Sequence, residues 1–166
     1  MFGARLKVPI FANVKIGDLE GKFRLFKELG LFPEIYVDSL SLAHLSHSRL
    51  DEINCLLRQN SMLATLHAPF WDLSLGSVDE EIRKLSVKRI VTSLNIAKTL
   101  NAKNVVFHSG YTETSYISSP KLEWNNRFYA SLAEILDYAG SFGLKVALEN
   151  VYERDVEFFL SACETF

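Results

Sequence analysis

The chain has 166 residues, 48% of them hydrophobic and 23% charged, with a formal net charge of -2. That length and balance describe one folded domain rather than a disordered chain. The charge gives no general pull toward nucleic acid or an anionic membrane. No run approaches the roughly 18 apolar residues needed to span a bilayer, and residues 1–7 lack the long apolar stretch of a signal peptide. Cys55 and Cys163 stand far apart without a CxxC or zinc-finger spacing, the pattern of reduced helix cysteines in a cytoplasmic protein.

Strand-like and helix-like segments alternate along the whole chain. Residues 8–14 form a first strand candidate, weakened by Pro9. Asp18 can cap a helix running to Leu29, with Gly30 suited to the left-handed position that ends it. Residues 34–38 read as the second strand. A second helix runs from Ser46 or Ser48 to Arg58 with Leu50, Ile53, Leu56 and Leu57 on one face. A third strand carries His67. Ser77-Val78-Asp79-Glu80 has the form of a capping box, opening a long helix with Ile82, Leu85, Leu94 and Ala97 among its apolar positions and Asn101 at its end. A fourth strand carries His108. Ser119-Pro120 supplies an N-cap followed by Pro at the first helical position, and that helix runs to about Phe142, where Gly143 stops it. A fifth strand carries Glu149. A last amphipathic segment starts near Asp155 and includes Val156, Phe158, Phe159 and Leu160.

Alternating strands and helices imply a parallel sheet with helical crossovers. Right-handed crossovers bring the C-terminal ends of the strands to one edge. His67, His108 and Glu149 each follow an apolar strand-like run, so they converge on that edge. Two neutral imidazoles and a carboxylate suit Zn²⁺ or Mn²⁺ and leave a position open for water or substrate. A rim histidine taken singly is as readily a hydrogen-bonded structural residue. Glu149, after Val146-Ala147-Leu148, is expected to face a costly desolvation unless paired or metal-bound. Asn150 could orient Glu149 or bond a substrate oxygen. Ser109-Gly110 allows a tight turn with close backbone approach to a ligand. Phe70-Trp71 could form an aromatic wall. His44 and His47, in a polar Ser-rich stretch, read as solvated or capping residues.

His67-Ala68-Pro69-Phe70, then a capped helix, then Val106-Phe107-His108-Ser109-Gly110, then Leu148-Glu149-Asn150, resembles the xylose isomerase-like TIM-barrel superfamily. That group includes sugar isomerases and epimerases and the endonuclease IV type of AP endonuclease. The resemblance implies an α/β fold, a partial (β/α)₈ TIM barrel of about five βα units. It places His67, His108 and Glu149 on positions that bind zinc in the endonuclease branch. In many of the epimerases, the strand-five Glu is both metal ligand and acid/base, so Glu149 is the position both branches share and the expected catalytic residue. A divalent metal, Zn or Mn and less readily Mg, is the implied cofactor, and Trp71, Ser109 and Asn150 are the expected substrate contacts.

A full barrel typically needs about 250 residues. Residues 1–166 therefore read as a single N-terminal portion of such a barrel, truncated, with first and last strand edges unpaired. A complete small protein that pairs through those edges is the alternative, and homo-oligomerisation is expected in either case. The leading expectation for function is a metal-dependent sugar or sugar-phosphate isomerase/epimerase. The rival is a zinc phosphodiesterase acting on abasic DNA. The loops around Trp71-Asp72 and Tyr111-Thr112-Glu113 carry acids and no Lys or Arg, which favours a small sugar over DNA. A third possibility is a non-catalytic assembly piece, and the isolated chain is expected to turn nothing over.

Overall fold

The computed structural model describes residues 8–115, 117 and 120–166. Five strands, β1 Phe11–Lys15, β2 Phe32–Tyr36, β3 Thr65–His67, β4 Asn104–Phe107 and β5 Lys145–Leu148, form one parallel sheet in the order β1-β2-β3-β4-β5. The helices are α1 Leu19–Leu29, α2 Ser39–His44, α3 His47–Gln59, α4 Glu80–Leu100, α5 Lys121–Gly140 and α6 Val156–Thr165. Spatial order follows chain order, so every right-handed crossover lies on the same side of the sheet. One-sided winding belongs to a (β/α)₈ barrel, whereas a doubly wound sheet reverses its strand order. The architecture is α/β, five consecutive βα units of a TIM-type barrel.

Strand alternation divides the sheet into two faces. Val14, Ile35, Leu66, Val105 and Phe107 are each 2% exposed or less and pack with Leu19, Ile53, Leu94 and Phe128 of the helices. Tyr36, His67 and Val106 are register partners and point to the opposite, inner face. Phe107 pairs with Leu148 on the helix side. The next residue of each strand, His108 and Glu149, therefore joins the inner face.

Several local expectations shift. β1 begins at Phe11 instead of Val8, although the Ile10 carbonyl still accepts from Phe32 N. Asp18 makes no capping bond, because the 3₁₀ turn Ile16–Asp18 leads directly into α1. β2 ends at Tyr36, since Asp38 is diverted to cap α2, accepting from Ser41 N at 2.7 Å. That short helix is hidden in a serine-rich stretch without apolar periodicity. Of the two expected starts of α3, Ser46 and Ser48, Ser46 is the cap, accepting from Arg49 N. The capping box is replaced by Asp79, which accepts from Glu81 N and Ile82 N. Ser77 accepts from Asp79 N instead, and Glu80 pairs with Lys84. Ile82 and Leu85 are exposed. The buried stripe of α4 starts a turn later, at Ser86, Val87 and Ile90. Ser119 lies outside the described residues, and Pro120 occupies the position before α5. α5 ends at Gly140, with Gly143 at φ 64° turning the chain into β5. In α6 only Phe158 of the four named apolar residues is buried, Phe159 is partly so, and Val156 and Leu160 are exposed.

Candidate metal centre

The ends of β3, β4 and β5 bring one ligand atom each from His67, His108 and Glu149 within 4.8 Å of one another. His67 Nε2 lies 3.4 Å and His108 Nε2 3.7 Å from the same Glu149 oxygen, Oε2. The two imidazoles are 7% and 11% exposed, and their ring centroids are 5.1 Å apart. The backbone fixes their tautomers. His67 Nδ1 is 2.7 Å from the Ala68 carbonyl, and His108 Nδ1 is 2.9 Å from the Glu149 carbonyl. A carbonyl only accepts, so both Nδ1 atoms carry the proton. In the neutral rings, Nε2 then presents a lone pair, the arrangement of a metal-ligating histidine oriented by an outer hydrogen bond.

Two lone pairs and a carboxylate oxygen thus face one point, and a shared cation answers that concentration of donors. Ligand atoms around a tetrahedral zinc with bonds of about 2.0–2.1 Å lie roughly 3.3–3.4 Å apart, close to the separations from Glu149 Oε2. The residues fit a divalent ion with two nitrogens and one oxygen from the chain. The expectation of a strongly desolvated Glu149 is corrected: its side chain is 53% exposed. β5 is the last strand of this sheet, so one flank of Glu149 is open.

Aromatic rings wall the histidines. Tyr36 meets His67 edge-on at 5.6 Å, and Phe70 stands against both His67 and His108, at 5.7 and 5.1 Å. Trp71 packs against Phe70 in a tilted arrangement, ring centroids 4.6 Å apart, and is 65% exposed. An open pocket of about 430 Å³ lies beside His108, lined by Trp71, Asp72, Tyr111, Thr112, Tyr152 and Glu153 among others. Asn150 is exposed and lines a separate groove with Leu148, Arg154 and Phe159. Ser109 is fully buried, accepting from Tyr111 N at 2.9 Å and donating to Glu153. Gly110, at φ 73°, lines the pocket beside His108 and also packs on backbone: a Cβ there would sit 2.7 Å from Ser74 Cα and 2.8 Å from the Leu73 carbonyl carbon. His44 and His47 are exposed, away from the cluster. Glu153 was not foreseen, because its position after β5 gives no spacing signal. Neither was its neighbour Arg154, which pairs with Glu113.

One-sided winding, with two His and a Glu that could hold a metal ion at the C-terminal strand ends, defines a TIM-barrel architecture. Residues 24–165 match the xylose isomerase-like TIM barrel family, and the chain belongs to it. It is similar to two uncharacterized proteins of Methanocaldococcus jannaschii. MJ1311 is 36% identical over 52% of this chain and 29% of its own length, and MJ1614 is 34% identical over 57% and 37%. Among solved structures, the TTHB071 protein from Thermus thermophilus, soaked with ZnCl₂, superposes at a TM-score of 0.82. It is 27% identical, with 95% of this chain and 62% of that one covered. A D-tagatose 3-epimerase-like protein gives 0.75 at 26% identity, covering 95% and 61%. Endonuclease IV from Thermus thermophilus gives 0.64 at 20% identity, a likeness of fold, covering 87% and 52%. The chain spans about a third of the length of the curated relatives and about three fifths of the first two structures.

Proposed function

We propose that the chain carries the N-terminal part of the site of a divalent-metal-dependent sugar or sugar-phosphate isomerase/epimerase. The observation that carries this reading is the pair of Nδ1-protonated histidines whose Nε2 atoms face one oxygen of Glu149. His67, His108 and Glu149 would hold the ion. When bound, it supplies Lewis-acid polarisation of a substrate carbonyl. Glu149, held yet half open to solvent, is placed to move a proton on or off a carbon next to that carbonyl. The exposed Trp71 ring, braced by Phe70, offers an apolar face to a sugar ring. Asn150 supplies an amide beside the open flank of Glu149. Likeness to a D-tagatose 3-epimerase-like protein supports the sugar reading.

The two histidines in the ligand set favour a second reading, an endonuclease IV-like zinc phosphodiesterase on abasic DNA. The acidic residues in the loops of the mouth weigh against it, since DNA binding draws on Lys and Arg. The test uses the chain loaded with Mn²⁺. Ketoses and ketose phosphates should show paramagnetic line broadening in NMR that abasic-site DNA does not displace. Broadening that is absent for every sugar, together with tight retention or cleavage of abasic DNA, would overturn the sugar reading in favour of the second. For the isolated chain we expect metal binding without turnover, the behaviour of an assembly piece. Robust isomerisation by the chain alone would refute that. The outer edges of β1 and β5 are unpaired among the described residues, which supports self-association. A monomer across a wide concentration range in ultracentrifugation would refute it.

A further inference from the structure

Residues 150–152 follow Glu149 directly and are exposed. What holds them is one side chain. Glu153 Oε2 accepts from Val151 N at 2.9 Å and Tyr152 N at 3.2 Å. Its other oxygen, Oε1, accepts from Ser109 Oγ. Ser109 is fully buried and itself accepts from Tyr111 N, so it is a fixed anchor on the β4 side. The residue before Ser109 is His108, whose Nδ1 donates to the Glu149 carbonyl. The ends of β4 and β5 are thus joined twice, through His108 to Glu149 and through Ser109 to Glu153, closing a ring that contains two of the three candidate ligands.

We propose that Glu153 is a positioning residue for the metal centre: its carboxylate locks the turn after β5 to Ser109 and so holds Glu149 and His108 in a common ligating geometry. This rests on the reading of His67, His108 and Glu149 as a metal site. A carboxylate suits the position, and one of its oxygens serves both amides. Three donors converge on it, and an ionised carboxylate is the one side chain that only accepts, at two oxygens. Arg154–Glu113 and Lys121–Asp155 continue the same seam at the surface. As exposed pairs they contribute little, which leaves the half-buried Glu153 as the effective clasp. Ser109 accordingly belongs to the clasp, with its proton and one of its two lone pairs engaged.

The test is cobalt(II) titration of the full chain, read by its visible ligand-field spectrum, with His108 Nδ1–H followed by ¹⁵N NMR in metal-free protein. Glu153→Ala should lower cobalt affinity by about 10–100-fold, the usual cost of losing an outer-shell partner, change the band shape, and release His108 Nδ1–H to solvent exchange. Glu153→Gln keeps one oxygen for both amides and should stay within about threefold of wild type. Circular dichroism establishes that each variant is folded. Glu153→Ala with wild-type cobalt affinity and an unchanged His108 signal would overturn the proposal, as would equal losses in the Ala and Gln variants. A wild-type chain that takes up no cobalt would refute the metal reading instead, and the His108 signal of metal-free Glu153→Ala would then decide the clasp alone.

Discussion

Gly110→Ala tests how the loops after β3 and β4 are packed. Gly110 lies at φ 73°, a region that costs an ordinary residue roughly 1–2 kcal/mol. An added Cβ would also fall inside contact with the Leu73 carbonyl and lie 2.7 Å from Ser74 Cα. Both are backbone atoms, so no rotamer change relieves the overlap, and the 73–75 segment must move. That displacement threatens the Leu75 N to Ser109 O bond, now 3.0 Å, worth about 1 kcal/mol. Overpacking adds about 1–3 kcal/mol, for a total of about 4 kcal/mol. In a domain of this size each kcal/mol moves Tm by about 2–4 °C, so the midpoint should fall by roughly 8–16 °C. Thermal unfolding followed by circular dichroism measures it. The same displacement shifts Phe70 and Trp71 against His108 and should weaken zinc binding in calorimetry. A variant melting within about 2 °C of wild type with unchanged zinc affinity would show that the two loops are not locked together as described.

Glu149→Gln preserves size and removes the charge. Outer-shell losses already cost about 10–100-fold in affinity, so this change to a ligand should cost at least tenfold by zinc calorimetry, and the His108→Ala, Glu149→Gln double variant should lose stoichiometric metal altogether. Phe128 is fully buried, stacked on Trp124 at 5.7 Å and tilted against Phe158 at 4.8 Å, so Phe128→Ala should cost about 3–5 kcal/mol in urea unfolding, and a loss under about 1 kcal/mol would contradict this packing. Hydrogen bonding from Ser41, first through its backbone N–H, and the nearby Lys15 hold the Asp38 carboxyl below the usual carboxylate range. A folded-state pKa lowered in this way stabilises the protein above the unfolded value of about 3.9, and the contribution is lost as pH falls through the folded value. Asp38→Asn keeps the cap but not the titration. Its stability deficit at pH 7 should therefore shrink on acidification and vanish once the pH lies below the lowered folded-state value, as urea unfolding across pH would reveal. A deficit independent of pH would refute the linkage.

The candidate site was more legible than the loops around it. His67, His108 and Glu149 stood out because each ends an apolar strand, and parallel winding leaves strand ends no choice of edge. α4 and α5 were readable from their length and apolar recurrence. α2 was not, because a short segment in which serines and a histidine interrupt the apolar residues carries no period, and only Asp38 capping reveals it. The burial of Glu149 was misjudged from its apolar predecessors. Exposure depends on what lies across from a residue, and β5 stands at the sheet's edge. The partners of Ser109 and Gly110, Glu153 and the 73–74 backbone, are distant in sequence, so local chemistry does not reveal them.

The sequence by itself determined the βα alternation, the common edge and the three donor types on it, since strand period and crossover handedness are local properties of an L-amino-acid chain. Tertiary structure alone decided that both imidazoles are protonated on Nδ1, that their free nitrogens meet one carboxylate oxygen, and that Glu153 clasps the two strand ends. The His108 tautomer and the clasp depend on hydrogen bonds between residues some forty positions apart, and the His67 bond to the neighbouring Ala68 carbonyl depends on the folded backbone after β3; no local pattern records either.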